Sequence, residues 1–285
     1  MSPVLRAAFW MIGAIGSFTS MAIAGRQISH IYDTFEIMTY RSLIGIVIVL
    51  SVTTALGRWG EVKRDRLRLH ALRNLTHFIG QNLWFLAIPL IPLAQLFALE
   101  FTTPIWVLLL SPLILGERIT RIGALSAAMG FAGILLVAQP GLGGLSVGLI
   151  PAALCAVFFA LTAIFTRRLT TDQSIICILF YLTTMQAVMG LVMAGWDGDI
   201  MPPTTAGWPW LVVIGLAGLL AHFCLTTALS LAPASVVMPI DFVRLPVIAV
   251  VGAVFYGEAV NVLILLGALL IFGGNYLNIT LGQRR

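Results

Sequence analysis

Acidic side chains are scarce. Aspartate and glutamate together number 11 in a chain of 285 residues, and all charged types make up 9%. A soluble globular chain carries about 25% charged and about 45–50% apolar residues. Here 60% are apolar, and mean hydropathy is +1.03. So little charge excludes a soluble domain, whose surface could not be solvated, and so much apolar content excludes disorder. Cysteine is nearly absent too: Cys155, Cys177 and Cys224 lie in apolar runs with no C-x-x-C pattern. That excludes a disulfide scaffold and leaves small buried thiols. There is no H-E-x-x-H, Walker A or metal-ligand cluster, so no metal and no cofactor is expected. Gly144-Leu145-Ser146-Val147-Gly148 matches G-x-S-x-G. It reads as a glycine-rich turn between helices, not as the strand-to-helix elbow that nucleophilic chemistry needs. An intramembrane enzyme is therefore the weaker alternative. The net charge of +5 does not point to nucleic acid as a partner, because placement of charge matters more than its sum.

What the chain does have is long apolar runs. Ten membrane spans are predicted, over 4–23, 34–56, 69–88, 92–115, 121–138, 147–166, 174–194, 208–230, 234–256 and 260–279. At about 20 residues each, they leave roughly eight residues for each loop or tail. No extramembrane domain fits, so function sits inside the bilayer. Arg6, the apolar run after it and Ala22-Ile23-Ala24 also resemble a cleavable leader. The length of that run and the repeat described next favour a first span.

Placement of basic residues predicts the orientation. With the N-terminus in the cytoplasm, Arg6, Arg58, Lys63, Arg64, Arg66, Arg68, Arg118, Arg121, Arg167, Arg168, Arg284 and Arg285 fall inside, and Arg26 alone falls outside. The positive-inside rule then predicts a multi-pass protein of the cell inner membrane with both termini cytoplasmic. The basic run at 58–68 is read as this topology signal rather than as a nucleic-acid or lipid patch.

An internal repeat appears at a shift of 141 residues. Pro92 is followed by Glu100-Phe101 and then Gly116-Glu117; Pro233 is followed at the same spacings by Asp241-Phe242 and Gly257-Glu258. The shift also pairs Phe18 with Phe159, Arg26 with Arg167, and Tyr40 with Tyr181. The units are 1–141 and 142–285, with five helices in each. An odd number forces the second unit to enter the membrane upside down. The expected fold is all-α and integral to the membrane: ten transmembrane helices as a 5+5 inverted-topology repeat, typical of secondary transporters.

Those ten helices, and the stretch from Pro92-Leu93-Ala94-Gln95 through Glu100-Phe101-Thr102-Thr103-Pro104 to Gly116-Glu117-Arg118, resemble the EamA-type members of the drug/metabolite transporter superfamily. Members of that build export amino acids, import S-adenosylmethionine or riboflavin, or move other small metabolites. The resemblance implies a central cavity lined mainly by spans 1–4 and 6–9, with spans 5 and 10 packed outside.

Candidate site residues are those whose burial in lipid is costly, roughly 2.5–3.5 kcal/mol for a charge at the bilayer centre on insertion scales. Helix rise places Glu100 about 12 Å below one end of span 4 and Asp241 about 10 Å from the end of span 9. The two acids bracket the midplane, as a substrate or proton site or as structural ion pairs. Arg41, about 10 Å deep on span 2, is level with Glu100 and is expected to pair with it. Arg244 follows Asp241 by three residues and is expected to pair with it. His77, Gln81 and Trp84 continue a stripe from Arg73 along one face of span 3, and His222 is the repeat mate of Gln81. Tyr40, Trp84 and Phe159 offer faces for stacking on a flat substrate. Pro104 frees the carbonyl of Glu100, and Pro246 that of Phe242, so a kink or hinge is expected beside each acid.

The function expected from these residues is a secondary transporter. It moves a small polar organic metabolite, an amino acid or a vitamin such as riboflavin, by alternating access, with protons as a candidate coupling partner. An uncoupled facilitator or channel is the alternative. Monomer and homodimer are both open.

Overall fold

The computed structural model describes residues 3–115, 120–138, 146–231, 240–241, 243–259 and 261–281. Gly116-Glu117, Arg118, Gly144, Pro233, Phe242 and Arg284-Arg285 lie outside the described residues. The first half supplies α1 (Pro3–Ile28), α2 (Thr34–Ala55), α3 (Leu67–Ala87), α4 (Leu93–Glu100), α5 (Thr103–Leu115) and α6 (Arg121–Ala138). The second supplies α7 (Leu149–Leu169), α8 (Ile175–Ala194), α9 (Trp208–Leu231), α10 (Arg244–Tyr256) and α11 (Val262–Leu281). Among the described residues six segments are long and apolar enough to cross a membrane, with α4 and the start of α5 counted together. Three shorter apolar helices, α6, α10 and α11, accompany them. α3 is in neither group, because Arg68, His70, Arg73, Asn74, His77, Gln81 and Asn82 dilute its hydropathy.

Local chemistry places the helix ends. The Asp33 carboxylate accepts from the backbone of Phe35 and Glu36 at 2.7 and 2.8 Å, and the Glu36 carboxylate accepts from the Asp33 N–H at 2.9 Å. This reciprocal capping box starts α2. The Ser174 hydroxyl caps α8 by accepting from the Cys177 N–H. Gly257, at φ 64°, ends α10 in the left-handed region that a side chain would resist.

The expected single span at 92–115 is two helices. α4 stops at Glu100 and α5 starts at Thr103. Pro104 therefore lies in the first turn of α5, where a missing N–H costs little, instead of kinking a continuous helix. The Glu100 carbonyl is not left bare either: the Thr103 hydroxyl donates to it at 2.6 Å. Pro246 likewise lies in the first turn of α10, one place further in.

Helices pack in four dominant pairs: α1 with α9, α3 with α7, α2 with α8, and α6 with α11. The last pair closes on small residues. A Cβ on Gly133 would stand 2.6 Å from the Gly267 carbonyl oxygen, and one on Gly267 would meet the Gly133 carbonyl at the same distance. Polarity is distributed inside out. Phe9, Val47, Leu113, Val254, Phe255 and Leu269 are exposed, whereas Arg41, Arg73, Asn74, His77, Gln186 and Arg244 are buried. The three free cysteines are buried as well.

Candidate functional site

Glu100, the last residue of α4, and Arg244, the first of α10, meet where two helix ends come together in the bundle. Arg244 Nη2 donates to Glu100 Oε1 and to Asp241 Oδ2, each at 3.1 Å. The other Glu100 oxygen accepts from Trp84 Nε1 at 2.7 Å. Arg244 is also boxed by rings: its guanidinium carbon lies 4.6, 4.9 and 5.0 Å from the ring centres of Phe18, Phe101 and Phe97. Each face is a favourable place for a desolvated cation. Two acids share one arginine, so the cluster carries a formal charge of −1. Asp241 Oδ1 and Arg244 Nε are buried and have no hydrogen-bond partner among the described residues.

The expected pairing of Arg244 with Asp241 is present, and that of Arg41 with Glu100 is not. Counting along a helix gives depth but not the direction a side chain takes around the axis. α2 packs against α8 and α9. Arg41 accordingly lies against the backbone of Gly218 on α9, where a Cβ would stand 2.9 Å from its Nε. Its one hydrogen-bond partner among the described residues is the Met38 sulfur, at 3.6 Å.

A second polar group leads from beside Arg41 to the acids. Gln186 on α8 hydrogen-bonds His77 Nδ1 through its Nε2 at 2.7 Å. His77 on α3 and His222 on α9 have ring centres 5.7 Å apart, and Phe18 lies 6.0 Å beyond His222. Phe18 in turn faces Arg244. A row of polar and aromatic groups thus runs from Gln186, which borders the same small void as Arg41, to the Glu100–Arg244–Asp241 cluster. Phe159 flanks it, 6.1 Å from His77. Gln81 is buried one turn from His77. Trp84 is 2% exposed and packs edge-on against Phe85 and Phe97. Its ring face is thus committed to the protein. Tyr40 is drawn away from the row: its hydroxyl donates to the Met201 carbonyl at 2.6 Å.

One contact passed unseen in the sequence. Arg26 at the end of α1 forms an ion pair with Glu258, after α10. It also donates to the carbonyls of Ile88 and Ile91, between α3 and α4. Glu258 accepts from the N–H of Leu93 at 2.9 Å, so a carboxylate faces the start of α4. The arginine and the Gly-Glu repeat were both visible as motifs, but nothing local joined them across 232 positions. Gln186 and Phe18 carried a weaker signal, an amide and an aromatic in mid-span.

Comparisons with known proteins now bear on this geometry. The model of the EamA-like transporter family matches residues 5–139 and, again, 146–280. Among curated proteins, a riboflavin transporter of Brucella anthropi is 28% identical over 83% of this chain and 84% of its own. An S-adenosylmethionine uptake transporter of Rickettsia bellii is 23% identical over 92% and 89%. The pseudopaline exporter CntI of Pseudomonas aeruginosa is 26% identical over 92% of each chain. A solved crystal structure superposes with a TM-score of 0.67 over 98% of each chain at 21% identity, a likeness of fold.

Proposed function

Because the chain belongs to the EamA-like transporter family, and is therefore a multi-pass membrane transporter of small molecules and not an enzyme, we propose that it is a secondary carrier working by alternating access. Its substrate is a small polar organic metabolite, an amino acid or a vitamin of the riboflavin kind, crossing the inner membrane. The observation that carries this reading is Arg244 shared between Glu100 and Asp241. It ties the halves 1–141 and 142–285 together at a buried point, and its charges have a natural use in holding a closed state that substrate or a proton releases.

The inverted repeat is part of the same proposal. Exchange of the halves turns the pair α1–α9 into α7–α3 and returns α2–α8 and α6–α11 to themselves, and these are the dominant packings. The two family matches are displaced from one another by 141 residues, the shift of the sequence repeat. Both facts support ten spans related by a pseudo-two-fold axis in the membrane plane. Pro104 and Pro246, each opening the helix after an acid, fit hinges in that scheme.

The test is exchange in sealed proteoliposomes. Vesicles preloaded with amino acids, vitamins or nucleosides should accumulate the labelled form of one class, saturably and only against a matching internal solute. Flux that neither saturates nor responds to internal substrate would indicate a channel instead.

A further inference from the structure

Arg41 is the odd cation of this protein. Arg26 and Arg244 are mostly or fully buried and meet the cost with carboxylates. Arg73 is buried with two neutral oxygen acceptors, Asn74 Oδ1 at 2.8 Å and Thr166 Oγ1 at 3.2 Å. Arg41 is 7% exposed, and its hydrogen-bond partner among the described residues is a thioether sulfur. A guanidinium carries five donors in a planar fork. The remaining donors have no oxygen acceptor among the described residues and face only a small void, and such groups in membranes mark substrate or ion paths.

The surroundings are shaped for this side chain and for something beside it. Gly218 lets the guanidinium lie on the α9 backbone, since a Cβ there would be 2.9 and 3.0 Å from Nε and Nη2. A void of about 10 Å³ adjoins it, bordered by Arg41, Ser42, Gly45, Thr183, Gln186 and Gly215. That is room for about one water, too little for a metabolite as the helices now pack. Under the shift of 141, Ser42 corresponds to Thr183, Gly45 to Gln186, and Arg41 to Leu182, which also borders the void. The void thus sits between matching positions of α2 and α8, where the halves would part. Only one half brings a charge to it. His77 and His222 lie within the fields of both Arg41 and Arg73, so this end of the polar row is electropositive and the Glu100–Asp241 end is negative.

We propose that Arg41 is the anion-recognition residue of the transporter: the transported metabolite carries an oxyanion, a carboxylate or a phosphate, that docks on this guanidinium as α2 and α8 separate. The inference rests on the carrier reading above and narrows its substrate class. A fork of parallel donors matches a carboxylate or phosphate edge, which Lys does not reproduce. A neutral ligand could accept a hydrogen bond from the fork but would leave its charge uncompensated.

The experiment is counterflow in proteoliposomes of the full chain, with metabolites supplied as the carboxylic acid, its primary amide and the corresponding phosphate monoester. Acids or phosphate esters should exchange, and the matched amide should show a KM at least about tenfold higher, the scale of one charge-assisted hydrogen bond. Preference for the ester assigns phosphate, and preference for the acid assigns carboxylate. Arg41→Gln should erase the acid-over-amide preference, and Arg41→Lys should keep it at raised KM. Acid and amide carried equally by the unaltered chain would overturn the proposal, as would a preference that survives Arg41→Gln. The wild-type comparison stands even where Arg41→Gln does not fold. Saturable exchange of neutral solutes alone sinks the oxyanion and leaves the carrier. No exchange of any solute sinks both.

Discussion

Arg244 Nη2 stands 3.1 Å from Glu100, a residue 144 positions earlier in the chain. The contact joins the end of α4 to the start of α10, and the same nitrogen also reaches Asp241. One cation held by two acids has a definite energetic signature. Arg244→Ala strands two adjacent carboxylates away from water and should cost about 3–5 kcal/mol, the scale of breaking a buried pair. Glu100→Gln leaves Arg244 with Asp241 and should cost clearly less. Thermal unfolding in detergent gives the order. Glu100→Gln and Asp241→Asn should each accumulate in the membrane and lose transport by at least about tenfold. Failure of both to accumulate would assign the acids to structure alone.

Trp84 is expected to act through Glu100 rather than as a stacking platform. Trp84→Phe keeps a ring beside Phe85 and Phe97 but deletes the 2.7 Å hydrogen bond. A bond to a charged group is worth about 1.5–3 kcal/mol. The variant should lose stability on that scale, and its transport defect should be equal for aromatic and non-aromatic substrates. A defect confined to aromatic substrates would restore the stacking role.

The Arg26–Glu258 pair is expected to act as a latch, because it binds α1, the α3–α4 turn and the segment after α10 in one network. With Cys155, Cys177 and Cys224 replaced by alanine, a cysteine at the buried Ile91 position reports on opening. Its maleimide labelling should speed up by about tenfold in Glu258→Gln, given the 1.5–3 kcal/mol of a charged hydrogen bond. An unchanged rate would make the pair a static brace.

Packing of α6 against α11 depends on absent side chains. Gly267→Ala drives a methyl into the Gly133 carbonyl and Val137 and should destabilise by about 1–3 kcal/mol. Gly16→Ala, in α1 with nothing within 4 Å of the new Cβ, should be neutral or slightly stabilising. Equal effects at the two positions would contradict the close approach.

Orientation is tested by reporters. Fusions after Arg285 and within 58–68 should read cytoplasmic, and one within 196–209 external, as the basic-residue asymmetry requires. An external C-terminus would refute the proposed orientation, and with 58–68 still cytoplasmic it would also refute an even number of spans.

Sequence alone determined where nearly every helix lies. The expected boundaries at 34–56, 121–138 and 174–194 fall within a residue or so of Thr34–Ala55, Arg121–Ala138 and Ile175–Ala194. Hydropathy, caps and turn residues act over a few positions, so they can be read in one dimension. The Arg244–Asp241 contact was legible for the same reason, its partners being three residues apart. Tertiary structure decided the partners. Arg41 and Glu100 share a depth, and depth is a count of residues. Which neighbour a side chain faces depends on the rotation of its helix and on what packs beside it, and no local pattern encodes that. The break after Glu100 was half visible: Pro104 announced an interruption, but only the Thr103 hydroxyl and the meeting with α10 made it two helices. Glu258 stood in a repeated Gly-Glu motif and gained its partner Arg26 only where the end of α1, the start of α4 and the segment after α10 come together.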